Sequence, residues 1–112
     1  MNRLLAVGAL VDMLAGRHLL VVSETQVLAR LAFAEMAGLA KPAQATIRAA
    51  NGDERIAGGG GSIVFRSRRA IEPGLRGRRF DTVVLDCPVT EREMAALRAC
   101  LAASQIGEIV RA

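Results

Sequence analysis

Two short runs limit what this chain can fold into: Leu19-Leu20-Val21-Val22 and Thr82-Val83-Val84-Leu85. Each is continuously apolar or β-branched, so a strand made from it needs cover on both faces. That is the pattern of central strands in a parallel sheet with helices above and below. Ile63-Val64-Phe65 reads as a third such strand and runs on into Arg66 and Arg68 around Ser67. Helical patterns fall between the strands. Leu4, Val7, Leu10, Val11 and Leu14 recur at helical spacing, which predicts a helix over residues 2–15, stopped by Gly16 and short of polar positions, hence buried on more than one side. Ser23-Glu24-Thr25-Gln26 fits a capping box that opens a helix over about 24–37, ending at Gly38. Thr90 with Glu93 opens another over about 91–104, with Met94, Leu97, Cys100 and Leu101 on its apolar side, and Ile106 to Val110 reads as a last short strand. The alternation predicts an α/β fold: a small three-layer sandwich around a mainly parallel sheet of about five strands.

A chain of 112 residues is enough for one domain with one core. Its middle section departs from the alternation. Lys41-Pro42 breaks the chain, Ala43 to Ala49 reads as a strand, and Asn51-Gly52 with Asp53 is a strong hairpin signal. Gly58 to Gly61 reads as a flexible connection, so 43–61 is expected to be a hairpin and glycine insertion within a single domain 1–112. Residues 70–79, with Pro73, Gly74 and Gly77, read as irregular or briefly helical.

Several function classes are disfavoured. Hydrophobic residues reach 52%, yet they come in short runs separated by charges, well below the roughly 18–20 apolar residues that span a bilayer. Asp12, Arg17 and His18 near the N-terminus, with no small-residue cleavage site after them, do not read as a secretory signal, so the expected setting is cytoplasmic without membrane contact. Cys87 and Cys100 are too few for a disulfide framework, and with one histidine they do not make a closed zinc site, so neither metal nor cofactor is expected. His18 begins a strand with no partner base in view, so Cys87 does not read as a nucleophile.

The net charge of +4 is local. Arg66, Arg68, Arg69, Arg76, Arg78 and Arg79 lie close together with Glu72 as the one acid among them. Arginine meets phosphate or carboxylate through a planar fork, so this segment is the candidate binding surface for weak, non-specific contact with nucleic acid, or for an acidic protein. Only Phe65 and Phe80 are near, which disfavours single-strand recognition by base stacking. The competing reading is a solvated face whose arginines pair with Glu72, Asp81, Glu91 and Glu93.

The order of these segments resembles part of a P-loop NTPase core of the phage terminase large subunit and helicase type. Leu4–Gly16 resembles the helix after the phosphate loop, Leu19 to Thr25 the second strand and its turn, and Gly61 to Arg68 the third strand. Gly74 to Asp81 resembles the glycine- and arginine-containing connection, and Thr82 to Asp86 the Walker B strand. The resemblance implies a motor-like fold, a phage-encoded chain and action in the bacterial host cytoplasm. Two departures bear on chemistry. The chain starts where the phosphate loop (Walker A) would end, and Cys87 stands after Asp86 where that family carries the glutamate that activates water. Asp86 and Cys87 therefore read as a vestigial Walker B pair.

The expectation is a protein that is not an enzyme: a binding module derived from a terminase- or helicase-like motor domain, contacting nucleic acid or an acidic partner through its arginines. The alternative is a self-associating structural or interaction protein with no nucleic-acid role. A third possibility is an enzyme completed in trans by a chain that supplies the phosphate loop. Apolar surface in excess of what the sheet covers predicts a homo-oligomer, with a two-fold dimer as its simplest form.

Overall fold

The computed structural model describes all residues except 41–44, 51 and 73. Helices α1 (Arg3–Leu14), α2 (Gln26–Ala40) and α3 (Glu91–Leu101) surround strands β1 (His18–Ser23), β2 (Thr46–Ala50), β3 (Asp53–Gly58), β4 (Gly61–Ser67), β5 (Thr82–Leu85) and β6 (Glu108–Arg111). The six strands form one sheet in the order β2-β3-β4-β1-β5-β6. β4, β1, β5 and β6 run parallel, and the β2–β3–β4 side is antiparallel, so the sheet is mixed rather than uniformly parallel.

Alternation along the central strands fills two cores. Leu19, Val21, Ile63, Phe65 and Val84 point to the face covered by α1 and α2, where the Phe33 and Phe65 rings meet edge to face at 5.5 Å. Leu20, Val22, Val64, Val83 and Leu85 point to the opposite face, covered by α3 and by Ile71, Leu75 and Phe80 of the connection before β5. The two apolar runs thus occupy the doubly covered positions expected of them, and β1, with β4 on one side and β5 on the other, is the middle strand of that covered region. β2 and β3 pair antiparallel, as the expected hairpin requires, with Gly52 at φ 78°; Asn51 lies outside the described residues. The break expected at Lys41-Pro42 and the strand start at Ala43 fall outside the described residues.

Five local expectations are corrected. The apolar stripe on α1 is inverted: its buried residues are Ala6, Ala9, Leu10 and Met13, while Leu4, Val7, Val11 and Leu14 face outward. Ala6, Ala9, Leu10 and Met13 pack into the core beneath the helix, and the other aliphatic row is left on the outer side. The cap of α2 is Thr25, whose Oγ1 accepts from the Leu28 amide at 3.2 Å. Ser23 instead ends β1, and its buried Oγ has no hydrogen-bond partner among the described residues. α2 continues through Gly38 to Ala40, because Met36, Ala37 and Ala40 are buried against the core. The four-glycine stretch is a close-packed turn. Gly59 at φ 62° and Gly60 at φ 86° reverse the chain between β3 and β4. A Cβ on Gly59 would overlap the Leu14 backbone, and one on Gly61 the Met13 and Arg17 carbonyl oxygens. α3 follows its predicted capping box but stops at Leu101, three residues short of the expected end at 104.

Candidate polyanion-binding groove

β4 ends at the carboxyl edge of the parallel strands and delivers the first arginines there. Arg66 is buried. Its guanidinium donates to Asp53 Oδ1 at 2.8 Å and to the Phe65 carbonyl at 2.9 Å, and Asp53 also faces Arg48 at 3.3 Å. The Arg66 hydrogen bond holds the Asp53 carboxyl below its usual range. Arg68 opens a short 3₁₀ turn, Arg68–Ala70, and reaches α3: Nη2 donates to Glu93 Oε1 at 2.8 Å and Nε to Glu93 Oε2 at 3.2 Å. Its Nη1 reaches Glu24 in the β1–α2 loop at 3.3 Å. These two arginines are internal fasteners.

The other four are placed differently. Arg69, Arg76 and Arg79 are exposed and have no carboxylate partner among the described residues, and Arg78 lies over the buried Phe80 ring at 5.6 Å. Arg76, Arg78 and Arg79 rim a groove of about 790 Å³ between the 71–79 connection and α3. Ile71, Leu75, Ala96 and Cys100 are among the residues that line it, and across it stands Arg92, paired with Glu72 at 3.1 Å. Arg92 escaped the sequence reading, although Arg92, Ala96, Ala99 and Ala103 follow a helical period that sets them on one face.

The connection is anchored at both ends of the groove. The Phe80 amide donates to the Cys100 carbonyl at 2.9 Å, and Cys100 Sγ donates to the Leu75 carbonyl at 3.5 Å. Burial pushes the Cys100 thiol up. Asp81 accepts from Ser104 Oγ at 2.7 Å and from the His18 amide at 2.8 Å, and both hold its carboxyl below the usual range. Of the four acids that sequence reading offered as arginine partners, Glu93 does pair with an arginine of the cluster. Glu72 takes Arg92 instead, Asp81 is committed to His18 and Ser104, and Glu91 forms no ion pair among the described residues. Phe65 and Phe80 are both buried, so neither presents a face for base stacking.

Asp86 and Cys87 follow β5 at the carboxyl edge, where the Asp86 amide donates to the Val22 carbonyl of β1 at 2.9 Å. The Asp86 carboxylate lies 3.9 Å from the Met1 amino group rather than beside an arginine. Cys87 Sγ is 4.0 Å from the Val22 carbonyl, and burial raises its pKa, the wrong direction for a thiolate nucleophile. The described residues contain no group of three or more His, Cys, Asp or Glu side chains that would hold a metal ion, and no helix among them is long and apolar enough to cross a membrane.

Glu54 also escaped the sequence reading. It is a buried carboxylate in β3 that accepts from Gln26 and Arg30 of α2 and from the Gly52 amide. Burial alone would raise its pKa, but backbone amides, Gln26 and Arg30 outweigh that and lower it.

Set against known proteins, the chain matches no family model, no curated protein and no solved structure.

Proposed function

We propose that this chain acts by binding, and that a nucleic-acid backbone lies along the groove rimmed by Arg76, Arg78 and Arg79, with exposed Arg69 of the preceding 3₁₀ turn as a further contact. The observation that carries the reading is the division of labour among six clustered arginines. Arg66 and Arg68 are used up inside the protein, while Arg69, Arg76 and Arg79 have no carboxylate partner among the described residues. An unpaired guanidinium at a surface offers its full donor fork to phosphate at no cost of breaking an existing pair. With the aromatic rings buried, the contact is electrostatic and indifferent to base sequence.

Descent from a terminase- or helicase-like motor domain is part of the same proposal. It rests on the order of the segments along the chain, and the return of Asp86 to the carboxyl edge of adjacent parallel strands supports it. On this reading Cys87, half-buried and with a raised pKa, has no part in activating water.

Fluorescence anisotropy with a labelled duplex oligonucleotide, repeated across a salt series, tests the proposal. If three or four arginines reach phosphates, the logarithm of affinity falls against the logarithm of salt with a slope of roughly −2.7 to −3.6. Absence of binding even at low salt removes the nucleic-acid reading. Retention on an acidic polypeptide without binding to DNA moves the proposal to an acidic protein partner.

A further inference from the structure

The face opposite the arginine groove is apolar and open. α1 and α2 lie side by side over the same side of the sheet, and both turn large aliphatic residues outward. Leu4 is 83% exposed, Val11 58%, Val27 67% and Leu31 60%, with Val7 and Leu14 continuing the α1 row. Together these six side chains expose ~600 Å² of apolar surface, the upper end of what a monomer leaves uncovered in one patch. Gly8 lies on the outer side of α1 with nothing within 4 Å of where a Cβ would stand, which leaves a recess between Leu4 and Val11.

We propose that this α1/α2 face is the interface of a symmetric dimer of this chain. Two features favour a second copy over an unrelated partner. The first is area. Two such patches with their polar surround reach the roughly 1,200–2,000 Å² that stable interfaces bury in total. The second is charge. Arg3 on α1 and Glu35 on α2 are exposed, and neither has an ion-pair partner among the described residues. In a two-fold interface every contact between residue i of one copy and residue j of the other occurs twice, so Arg3 of each copy complements Glu35 of the other. The dimer directs its two arginine grooves outward, because α3 and the 71–79 connection cover the other face of the sheet. The interface does not depend on the function proposed above, since the grooves take no part in it.

Sedimentation equilibrium in the absence of nucleic acid, from about 1 to 200 μM, tests it. The parent is expected to sediment as a dimer in the upper part of that range. Val11→Glu with Leu31→Glu is expected to sediment as a monomer with unchanged far-ultraviolet circular dichroism, its dissociation constant raised at least about a hundredfold. Both positions are more than half exposed, so the folded monomer tolerates the charges. Should that variant lose its fold, Leu4→Gln with Val27→Gln provides the same comparison without buried charge. A parent that remains monomeric throughout overturns the proposal, and so does a folded variant that still dimerises. Loss of DNA binding with the dimer intact would instead count against the arginine groove alone.

Discussion

Arg68 grips both carboxylate oxygens of Glu93 through one guanidinium edge, Nη2 at 2.8 Å and Nε at 3.2 Å, and Glu93 in the same position accepts from the Thr90 amide at the cap of α3. One ion pair thus joins the end of β4 to the capping box of the helix that walls the groove. It explains why neighbouring arginines in the sequence do different work. Arg68→Ala is expected to lower the melting temperature by a few degrees and leave the salt dependence of DNA binding unchanged. Arg76→Ala, Arg78→Ala and Arg79→Ala combined should do the reverse, flattening the salt slope to roughly −1 while the melting temperature holds. Thermal unfolding and anisotropy on both variants check the pair, and equal effects on binding would refute the division.

Acid should weaken the fold through four carboxylates. The folded state holds Asp53, Glu54, Asp81 and Glu93 below their ordinary pKa values. The unfolded chain therefore binds more protons as pH drops toward roughly 4. Their contribution is complete above about pH 5 and is lost as pH falls through the lowered values. Urea midpoints measured from pH 3 to 7 should fall on the acid side, and Asp81→Asn should make that limb shallower. A flat profile between pH 3 and 5 would rule this out.

The two thiols should label in sequence. Burial raises the pKa of both, but Cys87 is partly exposed at the carboxyl edge, whereas Cys100 is buried between α3 and Leu75. At neutral pH a thiol reagent is expected to modify Cys87 slowly and Cys100 only when the protein unfolds. Cys100 reacting as fast as Cys87 in the native state would contradict the packing of the groove floor.

Two glycines should respond in opposite ways to alanine. A Cβ on Gly61 meets the Met13 and Arg17 carbonyl oxygens, so Gly61→Ala should cost about 1–3 kcal/mol. Gly38 lies within α2 with nothing within 4 Å of its missing Cβ, so Gly38→Ala should stabilise by about 0.8–1 kcal/mol. Denaturant titration of the two variants checks both signs.

Composition and order carried much of the architecture. Leu19 to Val22 and Thr82 to Leu85 identified two doubly covered strands, because a continuous apolar run has no solvent face to offer. Thr90 with Glu93 marked the start of α3 because a capping box uses only bonds between near neighbours. The hairpin at Asn51-Gly52 was legible for the same local reason. Other features depended on partners distant in sequence. Helical period alone placed Leu4, Val7, Val11 and Leu14 on a common side of α1, but which side met the sheet was decided by tertiary packing, which buries Ala6, Ala9, Leu10 and Met13 against the core. The glycine stretch looked merely flexible because the α1 backbone that crowds it lies more than 40 residues away in the chain. The six arginines formed one cluster in the sequence, and only folding separated them. Asp53 and Glu93, 13 and 25 residues from Arg66 and Arg68, consumed two of the charges. A run of like charges reveals how much positive potential a segment carries. How much of it remains for a partner depends on which carboxylates the tertiary fold brings within hydrogen-bonding distance.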